Sequence, residues 1–249
     1  MHRTYIPSAD FQSSNIQIND PKEFHHLKNV LRLKPGDAVQ IFNGCGEEAD
    51  AVIETIAAKQ MNVSIRCVRK TAVDSKSIRL ILACAIPKKA KFEFIIEKCT
   101  ELGVDEIIPL QTARTEVVLT EDRAHKKSER FQTVALNAAK QCQRVTVPLI
   151  HPVSLFSQVI EKFDSSAVKF IPCLTGERKG LDQVLRDVNA VRTIVFFIGP
   201  EGDFTPQELK MAIGAGCVPV SLGATTLKVD TAAIAVVAHA ALIMRGHNT

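Results

Sequence analysis

The sequence contains no tryptophan and a single tyrosine, Tyr5, among its 249 residues. It also has no C-x-x-C pair. Its seven cysteines, Cys45, Cys67, Cys84, Cys99, Cys142, Cys173 and Cys217, are scattered and odd in number, which suits reduced thiols rather than a zinc site or a disulfide framework. No apolar run reaches the roughly 20 residues that a membrane helix needs. The longest, Ala232 to Met244, is interrupted by His239 and reads as a buried helix. The opening residues Met1-His2-Arg3-Thr4-Tyr5-Ile6 lack the apolar core of a signal peptide. A cytoplasmic protein without a membrane association is therefore expected. Strong charge of one sign is missing too. There are 31 Lys and Arg against 27 Asp and Glu, a net +4 that suits a polyanionic partner without demanding one. The two common nucleotide fingerprints are absent. Gly214-Ala215-Gly216 lacks the third glycine of G-x-G-x-x-G because Pro219 occupies its place, and there is no G-x-x-x-x-G-K-[ST] run. His25 and His26 have no third ligand at suitable spacing, so no metal is expected.

What is present is ordinary globular material, 46% hydrophobic and 23% charged, long enough for one large domain or two smaller ones. As far as about position 70 the pattern is of short strands: Val39 to Phe42 runs into the turn pair Asn43-Gly44, and Ala49 to Ile56 and Met61 to Val68 follow. A small β-barrel is predicted. Before it, Phe24 to Arg32 places Leu27, Val30 and Leu31 on one helical face, closed by Lys34-Pro35-Gly36. The apolar pattern lapses around Thr71 to Lys76, which divides the chain into residues 1–72 and 73–249. Beyond it, strands at Ile78 to Ile86, Val104 to Leu110, Val168 to Leu174 and Thr193 to Ile198 alternate with helical stretches. In one stretch Phe92, Ile95, Ile96, Cys99 and Leu102 share a face; in another, about Lys126 to Gln143, Phe131, Val134, Ala135, Ala138 and Cys142 do. Alternation of this kind predicts an α/β domain with a parallel sheet covered by helices.

Two strand-end loops carry the chemistry. The apolar strand Ile194 to Ile198 stops at Gly199-Pro200-Glu201-Gly202 and enters a helix whose start is well marked: Thr205 as cap, Pro206 at the first position, Glu208 completing a capping box. The two glycines are expected to let the backbone turn sharply and approach a ligand. Val218 to Ser221 leads through Leu222-Gly223 to a second helix, with Asp230 or Thr231 as its expected cap. Each loop alone could be a plain strand-to-helix turn, and Lys228 and Asp230 a solvated surface pair. In open α/β sheets, however, ligands sit beyond the carboxyl ends of strands, where both loops fall.

Gly199-Pro200-Glu201-Gly202-x-Phe204, then Glu208, Leu222-Gly223 and Leu227-Lys228-x-Asp230-Thr231-Ala232, resemble the RsmE family of 16S ribosomal RNA uracil-N3 methyltransferases. Val30-Leu31-Arg32, Phe42-Asn43-Gly44, Lys98-x-x-Glu101-Leu102-Gly103-Val104, Pro109-Leu110, Gln141-Cys142-x-Arg144 and Val147-Pro148 fall in the family's order, so the likeness covers nearly the whole chain. The resemblance implies a trefoil-knotted methyltransferase domain of the SPOUT type, acting as a homodimer, behind a small PUA-like β-barrel. It implies S-adenosylmethionine held by the loops Leu174 to Glu177, Ile198 to Gly202 and Ser221 to Leu227. The residues expected at the cofactor are Leu174, Gly176, Ile198, Gly199, Pro200, Glu201, Gly202, Ser221, Leu222, Gly223, Leu227, Thr231 and Ala232. The implied partner is 16S ribosomal RNA, or the 30S ribosomal subunit that contains it.

The chain departs from the family in places. Asp203 stands where a second glycine is common, Thr225-Thr226 replace Arg-Ile, and Lys228-Val229-Asp230 replace Arg-Thr-Glu. Lys140 and Gln143 replace Glu and Gly around Gln141, and Ala113-Arg114-Thr115 is a loose match to Glu-Arg-Ser. Uridine N3 must lose its proton before methylation, so the expected catalytic groups are Arg144 or Arg114, whose planar guanidinium can meet the uracil oxygens, with Glu201 assisting deprotonation or holding its loop. Arg3, His25, His26, Arg32, Lys88, Lys89, Lys91, Arg114, Gln141 and Arg144 are the expected RNA contacts. With so few large aromatics, base stacking would rest on Phe or Arg. Two other readings share parts of this pattern: a knotted methyltransferase acting on transfer RNA or another ribosomal site, and a non-catalytic RNA-binding assembly factor.

Overall fold

In the computed structural model, residues 2–70, 78–87, 91–115, 121–188 and 191–245 are described. The predicted boundary at Thr71 to Lys76, and Lys88 and Lys89, lie outside these residues. The chain forms two compact units: Met1–Asp74 with Ala139–Val147, and Ser75–Ala138 with Pro148–Thr249.

The first unit holds β1 (His2–Tyr5), β2 (Asn15–Ile18), α1 (Pro21–His25), β3 (Ala38–Phe42), β4 (Glu47–Ile56) and β5 (Met61–Lys70). They form one sheet in the order β1-β3-β4-β5-β2, in which only β1 and β3 run parallel. Alternation along β4 and β5 turns Ala49, Ala51, Ile53, Met61 and Val63 inward, where they meet Ile18, Phe24 and Leu27. Asp20 caps α1, its Oδ1 accepting from the amides of Lys22 and Glu23 at 2.9 Å each, and Pro21 occupies the first turn. The helix then slips into a π-helical turn over His26–Val30, where the Leu31 amide donates to the His26 carbonyl five residues back. That slip corrects one expectation. Leu27 is fully buried, but Val30 is rotated off the buried face and is 58% exposed.

The segment Ala139–Val147 joins this unit although it follows a long excursion through the other. The Val147 amide donates to the Gly44 carbonyl at 3.0 Å and the Gly46 amide to the Val145 carbonyl at 3.3 Å. Lys140 forms an ion pair with the buried carboxylate of Glu23, which also accepts from the Thr4 hydroxyl at 2.6 Å. A single cut near residue 72 therefore does not describe the units; non-local hydrogen bonds give nine residues beyond it to the barrel side.

The second unit contains β6 (Arg79–Ala85), α2 (Lys91–Glu101), β7 (Glu106–Gln111), α3 (Glu121–Gln141, whose last turn belongs to the first unit), β8 (Leu149–Ile150), β9 (Ser154–Leu155) and α4 (Phe156–Lys162). After them come β10 (Ala167–Pro172), β11 (Lys179–Gly180), α5 (Leu181–Arg186), β12 (Thr193–Ile198), α6 (Pro206–Gly214), β13 (Cys217–Ser221) and α7 (Val229–Arg245). The sheet is parallel throughout, in the order β11-β13-β10-β12-β6-β7-β8, with β9 beside β7. The central strand β12 is covered on both faces: Phe196 and Phe197 are each 0% exposed, and each contributes roughly 1.5–3 kcal/mol by burial. Phe197 packs edge-on to Phe156, whose ring also lies 4.9 Å from that of Phe204. Helices α2 and α7 pack together, and the Cys99 thiol reaches the Ala233 carbonyl. Among the described residues no helix is long and apolar enough to cross a membrane.

Candidate active site

Because β10, β12 and β13 are parallel neighbours, their carboxyl ends open on one side of the sheet, and the loops that leave them converge. Between these loops is a cavity of about 230 Å³. Leu174, Ile198, Gly199, Pro200, Glu201, Ser221, Leu222, Gly223, Leu227 and Ala232 line it, together with Asp203 and Lys228. Gly176, Gly202 and Thr231, also expected at the cofactor, are not in its wall.

Pro172, Cys173, Arg178, Val220 and Val229 line the cavity and were not foreseen. Position could have found the first two, since they end or follow β10 at the ligand-binding side of the sheet. Arg178 donates to the Cys173 carbonyl at 2.7 Å, folding its loop back over the strand end. The Cys173 thiol is pushed up, first by burial and then by the charge of Asp203. The Cys84 thiol, buried in β6, is held well above its usual range, chiefly by burial, and is chemically inert.

The turn after β12 works differently from what its two glycines suggest. Neither Gly199 nor Gly202 has a positive φ; Asp203, at φ 60°, makes the left-handed step, and its amide donates to the Pro200 carbonyl at 2.9 Å. A Cβ on Gly199 would lie 3.1 Å from the Phe204 ring, and one on Gly202 would lie 3.3 Å from Cδ of Arg114. Both glycines thus admit side chains of the protein itself. The capping box that follows is as expected, with Thr205 Oγ1 accepting from the Glu208 amide and Glu208 Oε2 from the Thr205 amide.

The helix beyond β13 begins two or three residues earlier than expected. Val229 opens α7, so Asp230 lies inside the first turn rather than at the cap. A carboxylate there suits the positive end of the helix dipole. Asp230 does not pair with Lys228; Lys91 Nζ lies 3.3 Å from its Oδ2, so this expected RNA contact already has an intramolecular partner.

Arg114 lies in the exposed turn after β7, and its Nη1 donates to the carbonyl of Gly202, while the neighbouring Ala113 amide donates to Glu208. Arg114, Glu201 and the glycine turn therefore belong to one loop cluster. Arg144 belongs to the other unit, half-buried, with Nη2 donating to Thr146 Oγ1 at 3.1 Å. Gln141 is exposed one turn before it, and Gln143 between them takes φ 62°. His25, His26 and Arg32 are exposed. Arg3 is not at the surface: its side chain is 7% exposed, lies 4.2 Å over the Phe42 ring and pairs with Glu48. Burial lowers its pKa, and it acts as a strut of the barrel. Among the described residues no group of three or more His, Cys, Asp or Glu side chains is placed to hold a metal ion.

Residues 74–241 match the family described as RNA methyltransferase domain, and residues 18–66 that described as RNA methyltransferase PUA domain. Ribosomal RNA small subunit methyltransferase E of Bacillus subtilis is 30% identical over 233 residues, 90% of each chain. This chain belongs to that family. Solved members share the architecture. The methyltransferase E of Neisseria gonorrhoeae, bound to S-adenosyl methionine, is 29% identical with a TM-score of 0.82, covering 96% of this chain and 95% of that one. A methyltransferase of Legionella pneumophila with its cofactor SAM bound is 30% identical at the same TM-score, over 94% of both chains. The chain is thus an RNA methyltransferase with an N-terminal PUA domain.

Proposed function

We propose that this protein transfers the methyl group of S-adenosylmethionine to N3 of a uridine in 16S ribosomal RNA, in the cytoplasm, as a homodimer. The observation that carries the reading is the cavity where three parallel strand ends meet, in a chain whose family relatives are methyltransferases of the small ribosomal subunit. The cavity suits the cofactor chemically. Ile198, Leu222, Leu227, Val229 and Ala232 give apolar walls for a nucleoside, and Glu201, Asp203, Arg178 and Lys228 bring both signs of charge for an amino-acid group. The trefoil threading implied by the resemblance belongs to the same proposal.

Bound S-adenosylmethionine supplies an activated methyl group on a sulfonium. The protein then has to align donor and acceptor and favour the uracil anion. We assign the second task to a guanidinium, Arg144 or Arg114, with fixed donors for the uracil carbonyl oxygens. The Arg114 contact with Gly202 aims that side chain along the turn bearing Glu201, and a guanidinium carries further N–H donors for a substrate. Glu201 is exposed at the mouth of the turn, where it can take the N3 proton or hold the loop. His25 and Arg32 contact phosphate, which positions RNA without reading its sequence.

The test is transfer of labelled methyl from S-adenosylmethionine to small subunits lacking the modification, followed by nucleoside analysis. The expected product is 3-methyluridine. Label in another nucleoside would retain methyl transfer and sink the uridine assignment, and absence of cofactor binding would sink both.

A further inference from the structure

We propose that Asp203 is a positioning residue for the cofactor: its carboxylate staples the loop after β10 to the loop after β12 and so fixes the width of the cavity between them. The argument starts at the backbone. At φ 60°, Asp203 occupies a left-handed conformation that is unfavourable for most L-residues, which Asp and Asn offset in part through local hydrogen bonds. Here Oδ1 accepts from the adjacent Phe204 amide at 2.8 Å. Oδ2 reaches across 29 residues of sequence to the amide of Leu174 at 2.9 Å. Leu174 and Cys173 line the cavity, as do Ile198 to Glu201, and Asp203 is hydrogen-bonded to both segments.

The hydrogen bond from the Leu174 amide to Asp203 joins the residue 173–176 loop directly to the turn at 199–203. Leu174 itself is 48% exposed, so packing does not hold it. The ionised carboxylate is a strong acceptor for an amide. Both oxygens are engaged by amides, so Asp203 acts through the loop it holds rather than by handling a proton.

This inference rests on the cofactor assignment above, and the experiment separates the two. Glycine at 203 removes the staple while accepting the same φ, and asparagine keeps an acceptor oxygen. S-adenosylmethionine binding is measured by calorimetry on the wild type, D203G and D203N, with hydrogen exchange at the Leu174 amide and thermal unfolding alongside. In D203G the Leu174 amide exchanges faster, the unfolding midpoint holds or rises, and affinity falls roughly tenfold, the loss of one charge-assisted hydrogen bond. The loss falls on KM for the cofactor more than on kcat, and D203N recovers most of it. Wild-type affinity and unchanged Leu174 protection in D203G overturn the staple. Failure of the wild type to bind overturns the cofactor assignment instead; the Leu174 exchange of D203G then decides the staple alone.

Discussion

Oε1 of Glu208 accepts a hydrogen bond from the backbone amide of Ala113 at 2.8 Å, while Oε2 of the same carboxylate receives the Thr205 amide at 2.8 Å and the Thr205 hydroxyl at 3.0 Å. One side chain thus closes the start of α6 and fastens the turn that carries Arg114. Replacing Glu208 with Ala is expected to destabilise the protein by roughly 1 kcal/mol through the lost cap. It is also expected to slow methyl transfer, because Ala113 and Arg114 lose their anchor. Glutamine should recover more of the unfolding midpoint than of the rate. Turnover unchanged in the alanine variant would show that the Arg114 turn has no part in the reaction.

Arg144→Ala is expected to lower turnover by roughly 10²-fold, as loss of a donor aimed at a developing anion does. Cofactor affinity should not change, since Arg144 is no part of the cavity wall. Saturating turnover and calorimetry on the same preparation check this. Wild-type turnover would remove Arg144 from the mechanism, and a parallel Arg114→Ala series decides between the two guanidinium groups.

Gly44→Ala should destabilise the barrel. Gly44 has φ 79°, and an added Cβ would stand 2.9 Å from Cε2 of Tyr5 and 3.3 Å from Cγ2 of Val147. The backbone alone costs roughly 1–2 kcal/mol for a non-glycine residue, and the clash adds to it. Chemical denaturation followed by Tyr5 fluorescence should show an earlier transition. An unshifted curve would mean that the turn can move aside.

Arg69 grips Asp50 with two hydrogen bonds of 2.6 and 2.8 Å, and these hold the Asp50 carboxyl below its usual range. A depressed carboxylate pKa stabilises the fold above the unfolded value of about 3.9, and the contribution disappears as pH falls through the folded value. The unfolding midpoint should therefore be insensitive to this pair above about pH 5 and drop in acid. Asp50→Asn should give a shallower acid decline. The effect is small, because the pair is partly solvated. Identical acid limbs in the two proteins would rule the pair out as a contributor.

The local features of this molecule were legible in its sequence. The strand Thr193 to Ile198 announced itself as an unbroken apolar run because both faces of a central parallel strand are covered, and the capping box at Thr205 to Glu208 is a rule of adjacent residues. Features set by distant partners were not. Nothing near Arg3 reveals that Glu48 and Phe42 will enclose it, and nothing near Asp203 reveals the Leu174 amide. Val30 departs from the regular helical period for another reason: in this turn the backbone slips to a five-residue hydrogen bond, and one slip rotates every later side chain. What requires glycine at 199 and 202 is lack of room beside Phe204 and Arg114, not backbone freedom.

The return of Ala139–Val147 to the barrel unit bears on how the chain is made. As it leaves the ribosome, the barrel strands emerge first but stay unfinished, because the partner of the Gly44 carbonyl, the Val147 amide, is synthesised only after α2, β7 and α3. A fragment ending near residue 72 would leave the Gly44 carbonyl and the Gly46 amide without these partners, and the Glu23 carboxylate without Lys140. To obtain the RNA-binding module in isolation, an engineer would have to splice the returning segment onto the barrel.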